Sequence, residues 1–232
     1  MPKQFHFLTL FPEIFRDFLT SSLIGKAQQS GKVSFDAIQI RDFSKDKHRS
    51  VDDSPYGGGE GMLLRADVLH AAWSSISKKE KSLTVLLSPQ GELFTQATAK
   101  ELGAYDQMIL VCGHYEGVDE RFIQLCVDRE ISIGDYVLTG GELPAMVIVE
   151  AVTRLLPGVV GNEDSTRNDS LEGGLLKYPQ YTRPREFEGL AVPEVLMGGD
   201  HGAIRSWRKV QSEERTKLKR PDLLPVNSKH KK

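Results

Sequence analysis

The sequence predicts an α/β fold built on a parallel sheet with helices on both faces, followed by a small helical unit. Three observations predict it. Over residues 1–160 short apolar or β-branched runs alternate with helical stretches, which is the βαβα order of a parallel sheet. Three of those runs end in loops of glycine or small residues: Leu86–Glu92 (LLSPQGE), Cys112–Arg121 (CGHYEGVDER) and Ile131–Pro144 (ISIGDYVLTGGELP). The chain, at 232 residues with 39% hydrophobic and 27% charged content, can hold one large core plus an appendage.

The elements follow in order. Predicted strands are Gln4–Phe11, Val33–Ile40, Leu83–Leu87, Met108–Val111 and Ile131–Ile133. Predicted helices are Pro12–Gln29, Ala66–Ile76, Thr95–Leu102, Asp119–Leu125 and Leu143–Leu156. The last is apolar almost all round, so it must be buried, with a second subunit as one way to cover it; Pro157–Gly158 ends it. Gly161–Gly174 (GNEDSTRNDSLEGG) is polar and glycine-punctuated, and reads as a linker that is mobile without ligand. A second unit begins at Leu175–Leu176, continues through the turn-rich Tyr178–Phe187, and ends in a helix from His201 to Arg220. Asp200 is its expected N-cap and Arg220–Pro221 its stop. The organisation is therefore 1–160, a linker over 161–174, and 175–232 with a disordered tail after Leu224.

No apolar run approaches membrane-spanning length, and MPKQFHF lacks a signal-peptide layout. Two cysteines, Cys112 and Cys126, give no disulfide framework and no metal-site spacing, which points to the cytosol. The net charge of −2 hides an asymmetry: Arg205–Lys232 holds ten Lys/Arg against three Asp/Glu. A polyanionic partner docking at one end explains this, as does a solvated terminal helix. Helical projection favours the partner. Ile204, Trp207, Val210, Gln211, Glu214 and Leu218 share one side, while Arg205, Arg208, Lys209, Arg215, Lys219 and Arg220 fall within an arc of roughly 140°. Beside Tyr178, Tyr181, Arg183 and Arg185 this resembles a phosphate-tracking surface with rings for stacking.

Glycines at strand ends let bare backbone approach a ligand, and in α/β folds ligands bind beyond the carboxyl ends of the strands. The three loops should thus lie side by side and form one site. Several other motifs fail. SPYGGGEGM lacks the Gly-Lys-Ser/Thr ending of a phosphate loop and reads better as a mobile loop covering a substrate. His114-Tyr115-Glu116 has the zinc-deaminase H-x-E form without the later P-C-x-x-C segment. No G-x-G-x-x-G follows an early strand. Arg154 is one of three clearly polar positions, with Glu150 and Thr153, on a helix fit for burial; it needs an anionic partner or substrate, unless it only pairs with Glu150 at i,i+4. Pattern alone does not separate Asp169 from Asp164 or Glu163.

Taken together, LLSPQG, CGHYEGVDER, GDYVLTGGELPAMVIVEAVTRLLPGVVG, NDSLEGGLLKYPQYTRP, GGDHGAIRSWR and SPYGGGEGM resemble the bacterial tRNA (guanine-N1)-methyltransferase family over essentially the whole chain. The resemblance implies a SPOUT-type methyltransferase domain containing a deep trefoil knot, which nothing in the residues alone predicts. It implies methyl transfer from S-adenosylmethionine to N1 of the guanosine at position 37, just 3′ of the anticodon. Asp169 would be the general base and Arg154 would stabilise charge at guanine O6. The cofactor loops would comprise Leu86, Leu87, Ser88, Pro89, Gln90 and Gly91; Gly113, Tyr115 and Glu116; and Ser132, Ile133, Gly134, Asp135, Tyr136, Val137, Leu138, Gly140 and Gly141, with Pro144. Contact with tRNA would fall to Arg183, Arg185, Arg205, Arg208, Arg215 and Lys219. A homodimer with composite sites and a magnesium requirement are also implied, although no carboxylate cage is evident for the ion. His114 stands where some relatives carry arginine, and Leu171 where an aromatic is common. Two other classes remain open at this level: another knotted RNA methyltransferase, separable by mass spectrometry of the modified nucleoside, and a silent tRNA-binding module, separable by cofactor titration.

Overall fold

The computed structural model describes residues 2–161, 169–171 and 173–224. The contact pattern divides the chain into two compact units, Met1–Gly161 and Asn162–Lys232. The disorder expected after Leu224 falls on residues outside the described set.

The first unit is built on a five-stranded, wholly parallel sheet of β1 (Lys3–Thr9), β2 (Val33–Gln39), β5 (Ser82–Leu93), β6 (Gln107–Cys112) and β7 (Arg129–Ser132), in the order β2-β1-β6-β5-β7. Every residue of the central strand β6 is buried, as its near-continuous apolar run demands. One face of the sheet packs on α2 (Ser22–Gln29), α4 (Gln96–Gly103) and α6 (Glu142–Thr153) through Ile24, Leu102, Ile148 and Val152. The other packs on α3 (Ala66–Ser74) and α5 (Glu120–Cys126) through Leu69, Ala72 and Phe122. Two short ribbons, β3–β4 (Asp52–Asp53 with Leu63–Leu64) and β8–β9 (Glu186–Phe187 with Leu190–Ala191), complete the strands.

Three expectations need correction. The stretch Pro12–Gln29 is not one helix: a 3-10 turn over Pro12–Phe15 leads into α1 (Arg16–Thr20), and the chain then bends before α2. Ser22 takes a left-handed φ of 50°, and a Cβ on Gly25 would lie 2.2 Å from the Thr20 carbonyl oxygen. The Thr-Ser-Ser run favours such a break, because short hydroxyl side chains compete for backbone partners; the Thr20 hydroxyl donates to the Arg16 carbonyl. Strand β5 does not stop at Leu87. It leaves its register there and rejoins β7 at Glu92 and Leu93. Gly91 permits this, since a Cβ would sit 2.4 Å from the Ile131 nitrogen. Finally, α6 is buried on one side only: Ala145, Ile148, Val149 and Val152 are inside, while Leu143 and Val147 are 55% and 45% exposed.

In the second unit α7 (His201–Lys219) starts where expected, with the Asp200 carboxylate accepting from the Gly202 and Ala203 amides. Its packed stripe differs from the projection. Val210 and Leu218 are exposed, whereas Thr216 is fully buried and accepts a hydrogen bond from the Leu176 amide.

Candidate active site

Strands β6, β5 and β7 are neighbours, so the loops leaving their carboxyl ends lie side by side. They wall a cleft of about 340 Å³, lined by Leu86–Gln90 from β5, Gly113–Val118 after β6, and Ile131–Gly134 with Tyr136–Gly141 after β7. Pro144 of α6 closes one side. Of the positions expected here, Gly91 and Asp135 do not line the cleft. Gly91 faces the β7 backbone, and Asp135 points to solvent at the tip of a turn in which the Tyr136 amide donates to the Gly134 carbonyl. His114, Gly117, Val118, Glu120, Ile123, Glu130, Ile131 and Thr139 line the cleft in addition. His114, Gly117, Val118, Glu120, Ile131 and Thr139 lay inside the segments already marked by glycines; Ile123 and Glu130 come from α5 and β7, where nothing local announces a ligand.

Crowding explains the paired glycines, by backbone at Gly141 and by side-chain ends at Gly140. A Cβ on Gly141 would fall 2.6 Å from Cys112 Cα, and the Gly141 amide donates to the Gly113 carbonyl at 3.0 Å. A Cβ on Gly140 would fall 2.2 Å from His114 Nε2 and 2.5 Å from Glu142 Oε2. Glu142 is a buried carboxylate, 3% exposed, that sequence reasoning missed. It accepts from the Thr9 hydroxyl at 2.6 Å and lies 2.8 Å from His114 Nε2. Burial, and next the charge of Glu142, push the Cys112 thiol well above its ordinary range, so this cysteine is an inert core residue rather than a nucleophile.

The loop Ser54–Met62 is anchored beside the cleft. The Glu116 amide donates to the Met62 carbonyl at 3.0 Å, the Leu64 amide donates to the Gly117 carbonyl at 2.9 Å, and Tyr56 stands 99% exposed at the loop's tip. Arg154 stands at the C-cap of α6 and is exposed rather than buried. Among the described residues no three His, Cys, Asp or Glu side chains converge as a metal site requires. None of their helices is long and apolar enough to cross a membrane.

The second unit carries the other expected residues. Asp169 is half-buried and paired with Lys177 Nζ at 3.2 Å, while the Lys177 amide donates to the Ser170 hydroxyl. On α7, Arg205, Arg208 and Lys219 are exposed, as are Arg183 and Arg185 before it, but Arg215 is half-buried on the packed side. The Arg208 guanidinium lies 4.8 Å over the Tyr178 ring, and Tyr181 neighbours Trp207 at 6.5 Å. Lys209 approaches Glu213, so the basic arc is less one-sided than its projection.

The fold and cleft define an α/β protein whose first unit, on a wholly parallel five-stranded sheet, opens a cleft at adjacent strand ends, and whose second unit carries a helix rich in arginine and lysine. The comparisons are narrower. The model of the family described as tRNA (Guanine-1)-methyltransferase TrmD matches residues 3–226. The chain belongs to this family. Proteins named tRNA (guanine-N(1)-)-methyltransferase are similar to it. The one from Moorella thermoacetica is 54% identical over 220 residues, covering 94% of this chain and 88% of the relative. That from Dictyoglomus turgidum is 53% identical over 221 residues, covering 95% and 89%. That from Halalkalibacterium halodurans is 55% identical over 220 residues, covering 94% and 89%.

Proposed function

We propose that this protein is a tRNA methyltransferase that moves the methyl group of S-adenosylmethionine to N1 of guanosine 37, 3′ of the anticodon. Family membership over residues 3–226 carries the reading, and the relatives' shared name gives the reaction at its coarse level. The cleft suits the donor. Its volume lies in the range of small-molecule sites. Its walls offer bare amides and carbonyls for polar groups, and Leu87, Ile133, Leu138 and Pro144 for a purine face. The glycine positions keep those walls free of side chains.

The S–CH3 bond breaks as the N1–CH3 bond forms, leaving S-adenosylhomocysteine. Guanine N1 carries a proton at neutral pH, and Asp169 accepts it. Arg154 stabilises the negative charge that develops toward O6. Holding nitrogen, methyl carbon and sulfur in line supplies much of the remaining acceleration. The loop Ser54–Met62 covers the substrate, and α7 with Arg183 and Arg185 tracks tRNA phosphates. Among the described residues no His, Cys, Asp or Glu cluster is suited to hold magnesium.

Two architectural features belong to the same reading. One is a trefoil knot, which family membership implies and with which the close approach of Gly141 to Cys112 Cα and Leu87 Cβ, at the ends of β6 and β5, agrees. The other is a homodimer in which Asp169 of one subunit completes the cleft of the other, supported by the uncovered Leu143 and Val147 on α6. The reaction takes place where tRNA is, in the cytoplasm.

Asp169→Asn tests the chemistry, because asparagine keeps the shape and cannot take the proton. Its single-turnover rate should fall by ~10²-fold, with S-adenosylmethionine affinity intact. A rate within about threefold of wild type, far short of that loss, would remove Asp169 from the role of base.

A further inference from the structure

Glu142 is the least expected group near the cleft. A carboxylate withdrawn from water is costly unless its oxygens are satisfied. Here they are: Thr9 Oγ1 donates at 2.6 Å, and His114 Nε2 lies 2.8 Å from Oε2 and 3.0 Å from Oε1. The Thr9 hydroxyl in turn accepts from the Phe11 amide at 2.9 Å, and the Phe11 ring tilts against the His114 imidazole at 5.1 Å. A first-turn carboxylate commonly serves its own helix end. Helix α6 nevertheless has no side-chain cap, and Glu142 reaches away to β1 and the loop after β6.

Three segments distant in sequence therefore meet at one carboxylate, and two of them are walls of the cleft. His114 belongs to the Gly113–Val118 wall, and Glu142 directly follows the Gly140–Gly141 wall. The space where Gly140 would carry a Cβ is filled by His114 Nε2 and Glu142 Oε2. The glycine is thus shaped around the pair. The Gly141 amide bond to the Gly113 carbonyl closes the same junction one residue on.

We infer that Glu142, held by His114 and Thr9, is a positioning residue that fixes the two glycine walls of the cleft in the form that receives the methyl donor, an inference that rests on the cleft being the donor's site. Neither residue takes part in proton or methyl transfer. Each acts through the backbone it pins, so the measurable consequence is donor affinity rather than the chemical step.

The test uses the full-length protein and S-adenosylhomocysteine binding by calorimetry, with no tRNA present. His114→Ala and Glu142→Ala should each weaken binding about tenfold, within the range for coupled neighbours. His114→Gln, whose amide Nε2 can donate to the same carboxylate, should recover to within about threefold. The double alanine variant should be no weaker than the worse single one, because the two side chains act as a unit. If Glu142→Ala does not fold, the comparison of His114→Ala with His114→Gln decides alone. Unchanged affinity in folded His114→Ala, or equal losses in His114→Ala and His114→Gln, would overturn the inference. Failure of the wild-type protein to bind S-adenosylhomocysteine would instead overturn the cofactor reading beneath it.

Discussion

At Gly141 one methyl group decides the geometry of the cleft. Its Cβ would press on Cys112 Cα at 2.6 Å and on Leu87 Cβ at 3.1 Å, inside a sheet that cannot retreat. Gly113 lines the same cleft, yet a Cβ there meets only ordinary contacts from 3.7 Å. Gly141→Ala should therefore lower thermal stability by about 1–3 kcal/mol, as overpacking does, and weaken S-adenosylhomocysteine binding. Gly113→Ala should keep wild-type thermal stability; equal stability losses in the two variants would contradict crowding at Gly141. The glycines were legible in the sequence because a strand followed by Gly-Gly before a helix has few other readings. Glu142 was not, since its burial depends on Thr9 and His114 arriving from elsewhere in the chain. Asp169 was reached by resemblance alone: nothing local distinguishes it from Glu163 or Asp164, both of which lie outside the described residues.

Secondary structure was legible where apolar or β-branched runs are short and bounded by turns. The strands β1, β2, β6 and β7 fall within two residues of their expected ends, because continuous or alternating apolar runs have few ways to hide. The α1–α2 break and the long β5 were hidden because both depend on close backbone approach, at Gly25 and at Gly91. Helix α7 shows the limit of projection. Its packed stripe is chosen by the Leu176 amide seeking Thr216, so Leu218, 81% exposed, lies outside a stripe that hydropathy alone would have given it. The basic side survives in part, and the exposed Arg205, Arg208 and Lys219 are its test. Replacing these three with alanine should weaken tRNA binding and reduce the log–log salt slope by roughly one unit for each phosphate no longer neutralised. Affinity for S-adenosylhomocysteine should not change. A slope equal to the wild type's would return α7 to an ordinary solvated helix. Arg215 is left in place because it is half-buried, and its removal would confuse packing with phosphate binding.

At the scale of the molecule, the cleft lies in Met1–Gly161 and Asp169 in Asn162–Lys232. The proposed two-fold dimer, in which cleft and Asp169 come from different subunits, is tested by complementation. Gly113→Trp adds a ring at the cleft wall from a position where a Cβ meets only ordinary contacts, and Asp169→Ala removes the proposed base. Each homodimer should be inactive. Co-refolded in equal amounts, random pairing gives heterodimers holding one intact and one doubly damaged site, and roughly one quarter of wild-type activity per chain. A mixture shown to contain heterodimers but lacking activity would place both elements in one subunit. The methyl transfer itself is tested most directly by the product. The protein is incubated with methyl-labelled S-adenosylmethionine and an unmodified tRNA carrying guanosine 37, and the digested tRNA is mapped by mass spectrometry. The account predicts a single labelled methyl, found as 1-methylguanosine at position 37. Label on a ribose, on another base or at another position would contradict it.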